Sequence, residues 1–147
     1  MKVERIVGSD GRLVCERCLV ADRPFGRMKG LLGRRSLASG EGLLLEPASS
    51  VHTFFMRFPI DVVFLDRDLR VLSIAHDLRP WRAAGRPGAR AVLELPAGEC
   101  ERRGLQPGDC VAFAESAAHF PRLRETRFAR ERRAGEAGTP LGQANGL

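Results

Sequence analysis

Apolar residues run along this chain in short blocks, separated by clusters of Gly, Pro, Asp and Ser. VERIV and RLVCERCLVA read as strands, and Ser9-Asp10-Gly11 between them supplies turn chemistry, so the chain opens on a hairpin. The period then changes. In DRPFGRMKGLLGRR, Phe25, Met28 and Leu32 recur at helical spacing, Pro24 suits a first turn, and Asp22 is placed to cap it. Gly26, Gly30 and Gly33 weaken that helix, so it is expected to be short or irregular.

From residue 42 onward the pattern is β. GLLLE is a short apolar strand. VHTFFM reads as another, with His52, Phe54 and Met56 on one face and Val51, Thr53 and Phe55 on the other. DVVFL is continuously apolar, as in a strand covered on both faces, and RVLSIAH returns from it across an Asp66-Arg67-Asp68 turn. Residues 78–90 form a Pro- and Gly-rich loop. RAVLELP is a strand with Ala91, Leu93 and Leu95 on one face and Arg90, Val92 and Glu94 on the other. GECERR gives one or two helical turns ending at Gly104, and CVAFAE follows the Pro107-Gly108-Asp109 turn as the last strand. There is no internal repeat. The expected organisation is one mainly β (β-rich α+β), barrel-like domain over residues 1–115 with one or two short helices. Residues 116–147, poor in core-forming side chains, are expected to be a disordered basic tail.

Charge adds little to this picture. The net charge of +6 divides evenly: 18 basic against 15 acidic residues in 1–115, and 6 Arg against 3 Glu in 116–147. A modest excess favours anionic partners weakly. The start, MKVERIVGSDGRL, lacks the apolar stretch of a secretory signal, and no apolar run reaches the roughly 18 residues that span a bilayer. The expected location is the cytoplasm, with no membrane partner. There the four cysteines, Cys15, Cys18, Cys100 and Cys110, are expected as free thiols. Cys15 and Cys18 make a C-x-x-C, but they lie on a strand-like segment and Cys100 and Cys110 are no second close pair, so no metal is expected. Nothing in the chain asks for a cofactor.

Three stretches together carry a resemblance: GRMKGLLGRRSL, HTFFMRFPIDVVFLD and AVLELPAGECERRGLQPGDCV. In this order and spacing the chain resembles the bacterial and archaeal family called domain of unknown function 192, over roughly residues 12–114. The resemblance implies a compact β barrel-like fold with one or two short helices. It implies no particular activity, the family being named for lacking one. Many members carry an export signal, which the charged start of this sequence does not lead one to expect here, and many have an aromatic-Trp-Met-Lys-Asn-like stretch where this chain has HTFFMRF.

Four features are candidates for chemistry, each with a plain structural alternative. At helical spacing Arg23, Arg27 and Arg34 fall opposite Phe25, Met28 and Leu32, either as an anion-holding face beside Gly30 or as a solvated one. His52 sits among apolar neighbours, as a ligand-facing or a structural imidazole, and His76 shares that ambiguity. Asp61 enters an apolar strand and must find hydrogen bonds or a cation there, as a turn-fixing group or as a binding or general-base carboxylate; Glu94 poses the same question. The 78–90 loop holds Arg79, Arg82, Arg86 and Arg90 around Trp81, which either stacks a ring or tucks in as an anchor. No G-x-S-x-G, P-loop or H-E-x-x-H motif is present.

The leading functional expectation is a non-catalytic binding or accessory module for an anionic small molecule or peptide, with Arg27, Arg34, His52, Arg57 and Asp61 converging on one site. The second is a small metal-independent enzyme using His52 and Asp61. The third is a nucleic-acid binder working through Trp81 and the arginine-rich loop.

Overall fold

The computed structural model describes residues 2–21, 31 and 33–115. The opening hairpin pairs β1 (Lys2–Gly8) antiparallel with β2 (Leu13–Ala21), and Gly11 takes the positive φ its turn requires, +82°. β3 (Glu41–Leu45) runs parallel to β2. β4 (Ser50–His52) is short and pairs with β7 (Ala83–Gly85) in a separate two-stranded ribbon. β5 (Ile60–Leu65) and β6 (Val71–Leu78) form the second hairpin, and β8 (Ala91–Pro96) lies between β5 and β3. The helix α1 (Glu99–Arg103) ends on Gly104 in the left-handed conformation, and β9 (Val111–Phe113) closes on β1.

The main sheet has seven strands in the order β6-β5-β8-β3-β2-β1-β9. It curls far enough for its edges to meet: Arg70, just before β6, bridges Cys110, just before β9. The fold is therefore a mainly β half-barrel with one short helix among the described residues. Alternation along the strands sorts the core into two layers. The inner layer holds Val14, Cys15 and Cys18 of β2, Val63 and Leu65 of β5, Leu93 and Leu95 of β8, and Cys100 of α1. The outer layer holds Leu43, Leu45, Ile60, Val62, Phe64 and Val92, covered by Leu31, Leu37, Val51 and Met56. All six residues of β5 are buried, as its unbroken apolar run requires.

Two sequence expectations need correction. VHTFFM is not one strand: β4 stops at His52, and residues 54 and 55 form a turn with Phe55 at φ +66°. Strand alternation therefore fails, and Val51, Thr53 and Met56 turn inward while His52, Phe54 and Phe55 turn outward. The 78–90 segment is not all loop, because β7 within it completes the ribbon with β4. In both places a non-local pairing overrides local pattern. The helix expected over residues 22–35 lies largely outside the described residues, as does the tail 116–147.

Candidate functional site

Asp61, the second residue of the otherwise apolar strand β5, has no exposure to solvent. Its charge is met by backbone. Oδ1 accepts from the Asp77 amide at 2.9 Å, and Oδ2 accepts from the Gly98 and Cys100 amides, both at 3.1 Å. Three amides from two segments thus converge on one carboxylate, which ties the first turn of α1 and the end of β6 to β5. Asp77 holds a positive φ of +51°, a conformation that this hydrogen bond helps secure. His76 stands at the rim, with Nδ1 4.0 Å from Oδ2 and its ring about half exposed. An open cleft of about 420 Å³ lies over this group, lined by Asp61, His76, Asp77, Glu101, Leu105 and Pro107. Burial, then the neighbouring Asp61 charge, push the Cys100 thiol beside it well above its usual range.

A different surface is built where the β4–β7 ribbon ends. Thr53 is fully buried, and its hydroxyl donates to the Arg79 carbonyl at 2.6 Å while accepting from the Arg82 amide at 2.9 Å. Its backbone adds two more ties, Thr53 N to the Arg82 carbonyl at 2.8 Å and Trp81 N to the Thr53 carbonyl at 3.0 Å. This single residue clamps the 53–56 turn to the 79–82 turn, and the rings on both turns face outward. His52 stacks on Phe54 with centroids 4.9 Å apart, Phe54 on Trp81 at 6.0 Å, and Phe55 meets Trp81 edge-on at 4.7 Å. Phe54, Phe55 and Trp81 remain 39%, 71% and 57% exposed. Phe55 and Trp81 both adopt left-handed backbone, at φ +66° and +64°. Bulky side chains reach that region at a cost of about 1–3 kcal/mol each. Arg57, Arg79 and Arg82 flank the rings along the chain and are exposed. The Arg82 guanidinium reaches only the Trp81 carbonyl, at 3.3 Å, and among the described residues Arg57 has no hydrogen-bonding or ionic partner.

The residues expected to share one site are thus distributed. His52 and Arg57 belong to the aromatic surface. Asp61 lies beneath its own cleft, and the imidazole beside it is that of His76, not His52. His52 instead lines a shallow depression of about 490 Å³ over β4 and β7. Arg34 pairs with Glu41 at 2.8 Å. Arg27 lies outside the described residues. The arrangement missed from sequence is the ring cluster, because strand alternation put Phe54 and Phe55 on opposite faces of one strand. The only available signal was that Trp81 sat in an arginine-rich loop. Among the described residues, no three His, Cys, Asp or Glu side chains gather as metal ligands. Cys15 and Cys18 are both buried in β2, with the Cys15 thiol donating to the Gly40 carbonyl at 3.4 Å.

Comparison with known proteins agrees with the fold. Residues 5–113 match the family model DUF192, described as Uncharacterized ACR. A UPF0127 protein of Thermococcus sibiricus is 31% identical over 104 residues, 67% of each chain. A UPF0127 protein of Pyrococcus horikoshii is 43% identical over 66 residues, 44% of this chain and 56% of that one. Among solved structures, a putative transcription regulator from Sinorhizobium meliloti superposes with a TM-score of 0.69 at 26% identity, covering 77% of this chain and 95% of that one. A protein of unknown function from Novosphingobium aromaticivorans gives 0.65 at 28% identity, covering 75% and 83%.

Proposed function

The chain belongs to the domain-of-unknown-function 192 family, and we propose that it acts as a non-catalytic binding module for an anionic small molecule or peptide that carries a planar ring. The observation that carries this reading is the exposed array His52–Phe54–Trp81–Phe55. Folding does not call for it: three large side chains stay in water, and two of them sit on strained backbone held by the Thr53 clamp. Such a surface offers stacking area for a ring, and the flanking Arg57, Arg79 and Arg82 supply guanidinium groups for a carboxylate or phosphate. Asp61 has no part in this site, because its oxygens are occupied by three amides. That also speaks against Asp61 as a general base.

Trp81 is the chain's single tryptophan, so its fluorescence reports on this surface alone. Adenosine monophosphate and the blocked dipeptide Glu-Phe are suitable ringed anions. Saturable quenching is expected, weakened roughly tenfold by Phe55→Ala or Arg82→Gln, the magnitude of one lost ring or cation–π contact. Quenching that rises linearly with both probes and ignores both substitutions overturns the reading.

A second reading, single-stranded nucleic acid, is favoured by the exposure of Trp81 within the arginine-rich loop. The Sinorhizobium meliloti neighbour, a putative transcription regulator, points the same way. Bases stack on aromatic rings while arginines follow the backbone. It requires affinity for oligo(dT) to climb with length and to fall steeply with salt; affinity no better than that of a mononucleotide excludes it.

A further inference from the structure

β6 is the terminal strand of the seven-stranded sheet, and its outer edge is paired only at and just before its start. There the curled sheet closes. Val111 N donates to the Leu69 carbonyl at 3.0 Å, Val71 N to the Asp109 carbonyl at 2.8 Å, and Gly108 N to the Val71 carbonyl at 2.8 Å. Beyond Val71 the two edges part. The 104–109 segment turns to α1 and to itself, with Leu105 N on the Cys100 carbonyl at 2.9 Å and Asp109 N on the Gln106 carbonyl at 3.1 Å. Among the described residues, nothing pairs with the outer main chain of β6 from Leu72 to His76. The cleft over Asp61 is this gap in the wall: His76 and Asp77 line one side, Glu101 of α1 with Leu105 and Pro107 the other. Open edges are ordinarily guarded by charge, proline or a bulge. Leu72, Ser73, Ile74 and Ala75 carry neither charge nor proline. The bulges of β6 fall on either side of Ser73, Ile74 and Ala75, which face Phe64, Val63 and Val62 in regular register.

We infer that this edge and the cleft beside it form a docking groove for an extended basic segment of a partner protein, which adds to β6 as a further strand and places an Arg or Lys side chain in the cleft. The groove is separate from the aromatic surface. Strand addition supplies main-chain hydrogen bonds to groups that the described chain leaves open, and a pocket beside the edge selects the side chain. Charge decides which side chain that is. Asp77 and Glu101 stand on opposite walls with Asp61 beneath them, and no Lys or Arg lines the space. Glu101 is exposed and has no ionic partner among the described residues. The one cation beside Asp77 among those residues is Arg79, 4.0 Å away and largely exposed. Asp61 is already bonded by three amides, so it contributes field rather than a hydrogen bond. The cleft, about 420 Å³, has room for one long basic side chain.

The probe is the blocked peptide acetyl-Thr-Val-Arg-Val-Thr-amide, followed through the backbone amide resonances of the full chain. The amides from Leu72 to His76 and that of Glu101 should shift saturably. Glu in place of the peptide's Arg should weaken binding roughly tenfold or more, because it sets like charges together. Two versions N-methylated at alternate residues, one in each frame, separate pairing from charge. Alternate amides of a strand face its neighbour, so one version should lose binding and the other keep it. Glu101→Lys should reverse the preference between the Arg and Glu peptides. Asp77→Asn, which suits the left-handed backbone at that position, should weaken the Arg peptide by about fivefold. Amide dispersion shows that both variants remain folded. The probe carries no ring and no acid, so its binding neither needs nor reports on the aromatic surface, and the two sites succeed or fail independently. Unmoved amides from Leu72 to His76, equal affinity for the Arg and Glu peptides, or indifference to both N-methylated frames overturn the proposal. So do outer β6 amides already protected from hydrogen exchange without peptide: the occupant is then the chain itself, or a second copy if protection grows with protein concentration.

Discussion

At the scale of single residues, the two carboxylates that interrupt apolar strands have opposite fates. Asp61 and Glu94 both appear in the sequence as an acid between hydrophobes. Among the described residues the backbone answers Asp61 with three amide donors and leaves Glu94 with none. Asp61 is therefore structural, and Asp61→Asn tests this. An asparagine has one accepting oxygen where the aspartate has two, so at least one buried amide would face an NH2 group. The expected cost is about 2–4 kcal/mol in urea denaturation. A loss below about 1 kcal/mol would mean that the three amides are satisfied another way.

At the scale of elements, the β4–β7 ribbon and its adjoining turns matter because they present the rings. Their geometry is set at Thr53, which joins the 53–56 and 79–82 turns by side chain and backbone together. Thr53→Val preserves volume and removes the hydroxyl, leaving the Arg79 carbonyl and the Arg82 amide without that partner. A loss of about 1–3 kcal/mol is expected. More tellingly, Trp81 emission should shift to the red and the affinity for ringed anions should fall while the main sheet stays intact by circular dichroism. Unchanged emission and affinity would show that the turns hold the rings without this clamp. α1 is fastened in a comparable way. Arg103 bonds Glu99 at 3.1 Å, both oxygens of Glu16 at 3.0 and 2.9 Å, and the Leu13 carbonyl at 3.1 Å, tying the helix to β2. Burial raises the Glu99 carboxyl, but bonds from Arg103, Ser39 and Gly40 outweigh it and hold the group below its usual range.

At the scale of the whole molecule, these groups give stability a dependence on pH. Glu94, raised from 4.5 to about 7, binds its proton more tightly in the folded state. The folded state therefore carries the extra proton between those values, and stability falls as pH rises through that window. Glu41 and Glu99, held low, act the other way: their contribution is present above the ordinary carboxylate value and is lost as pH falls through their lowered ones. Comparing wild type with Glu94→Gln isolates the Glu94 contribution. The variant's advantage should grow by about 3 kcal/mol between about pH 4 and pH 8.5, from some two and a half pKa units at 1.36 kcal/mol each. A constant difference across that range would mean that the carboxylate is solvated in the folded protein, and a difference that shrinks with rising pH would mean that it is paired.

By itself the sequence determined the parts governed by local periodicity and turn chemistry. Both hairpins, the buried β5 strand, the division of β8 residues between its two faces and the Gly104 helix stop follow from alternation, continuous hydrophobicity and a residue free to take positive φ. The family was legible too, because it is carried by motifs in fixed order. Only the tertiary structure decided what depends on residues distant in the chain. The end of β4 at His52 and the strand within the 78–90 segment arise from a pairing between segments some thirty residues apart, which no local pattern encodes. The same pairing turned Phe54 and Phe55 outward and brought them to Trp81. It was likewise the fold, not the strand pattern, that delivered amides from positions 77, 98 and 100 to Asp61 and, among the described residues, none to Glu94. A buried charge announces that it needs a partner, but whether one arrives is settled by which backbone the sheet carries past it.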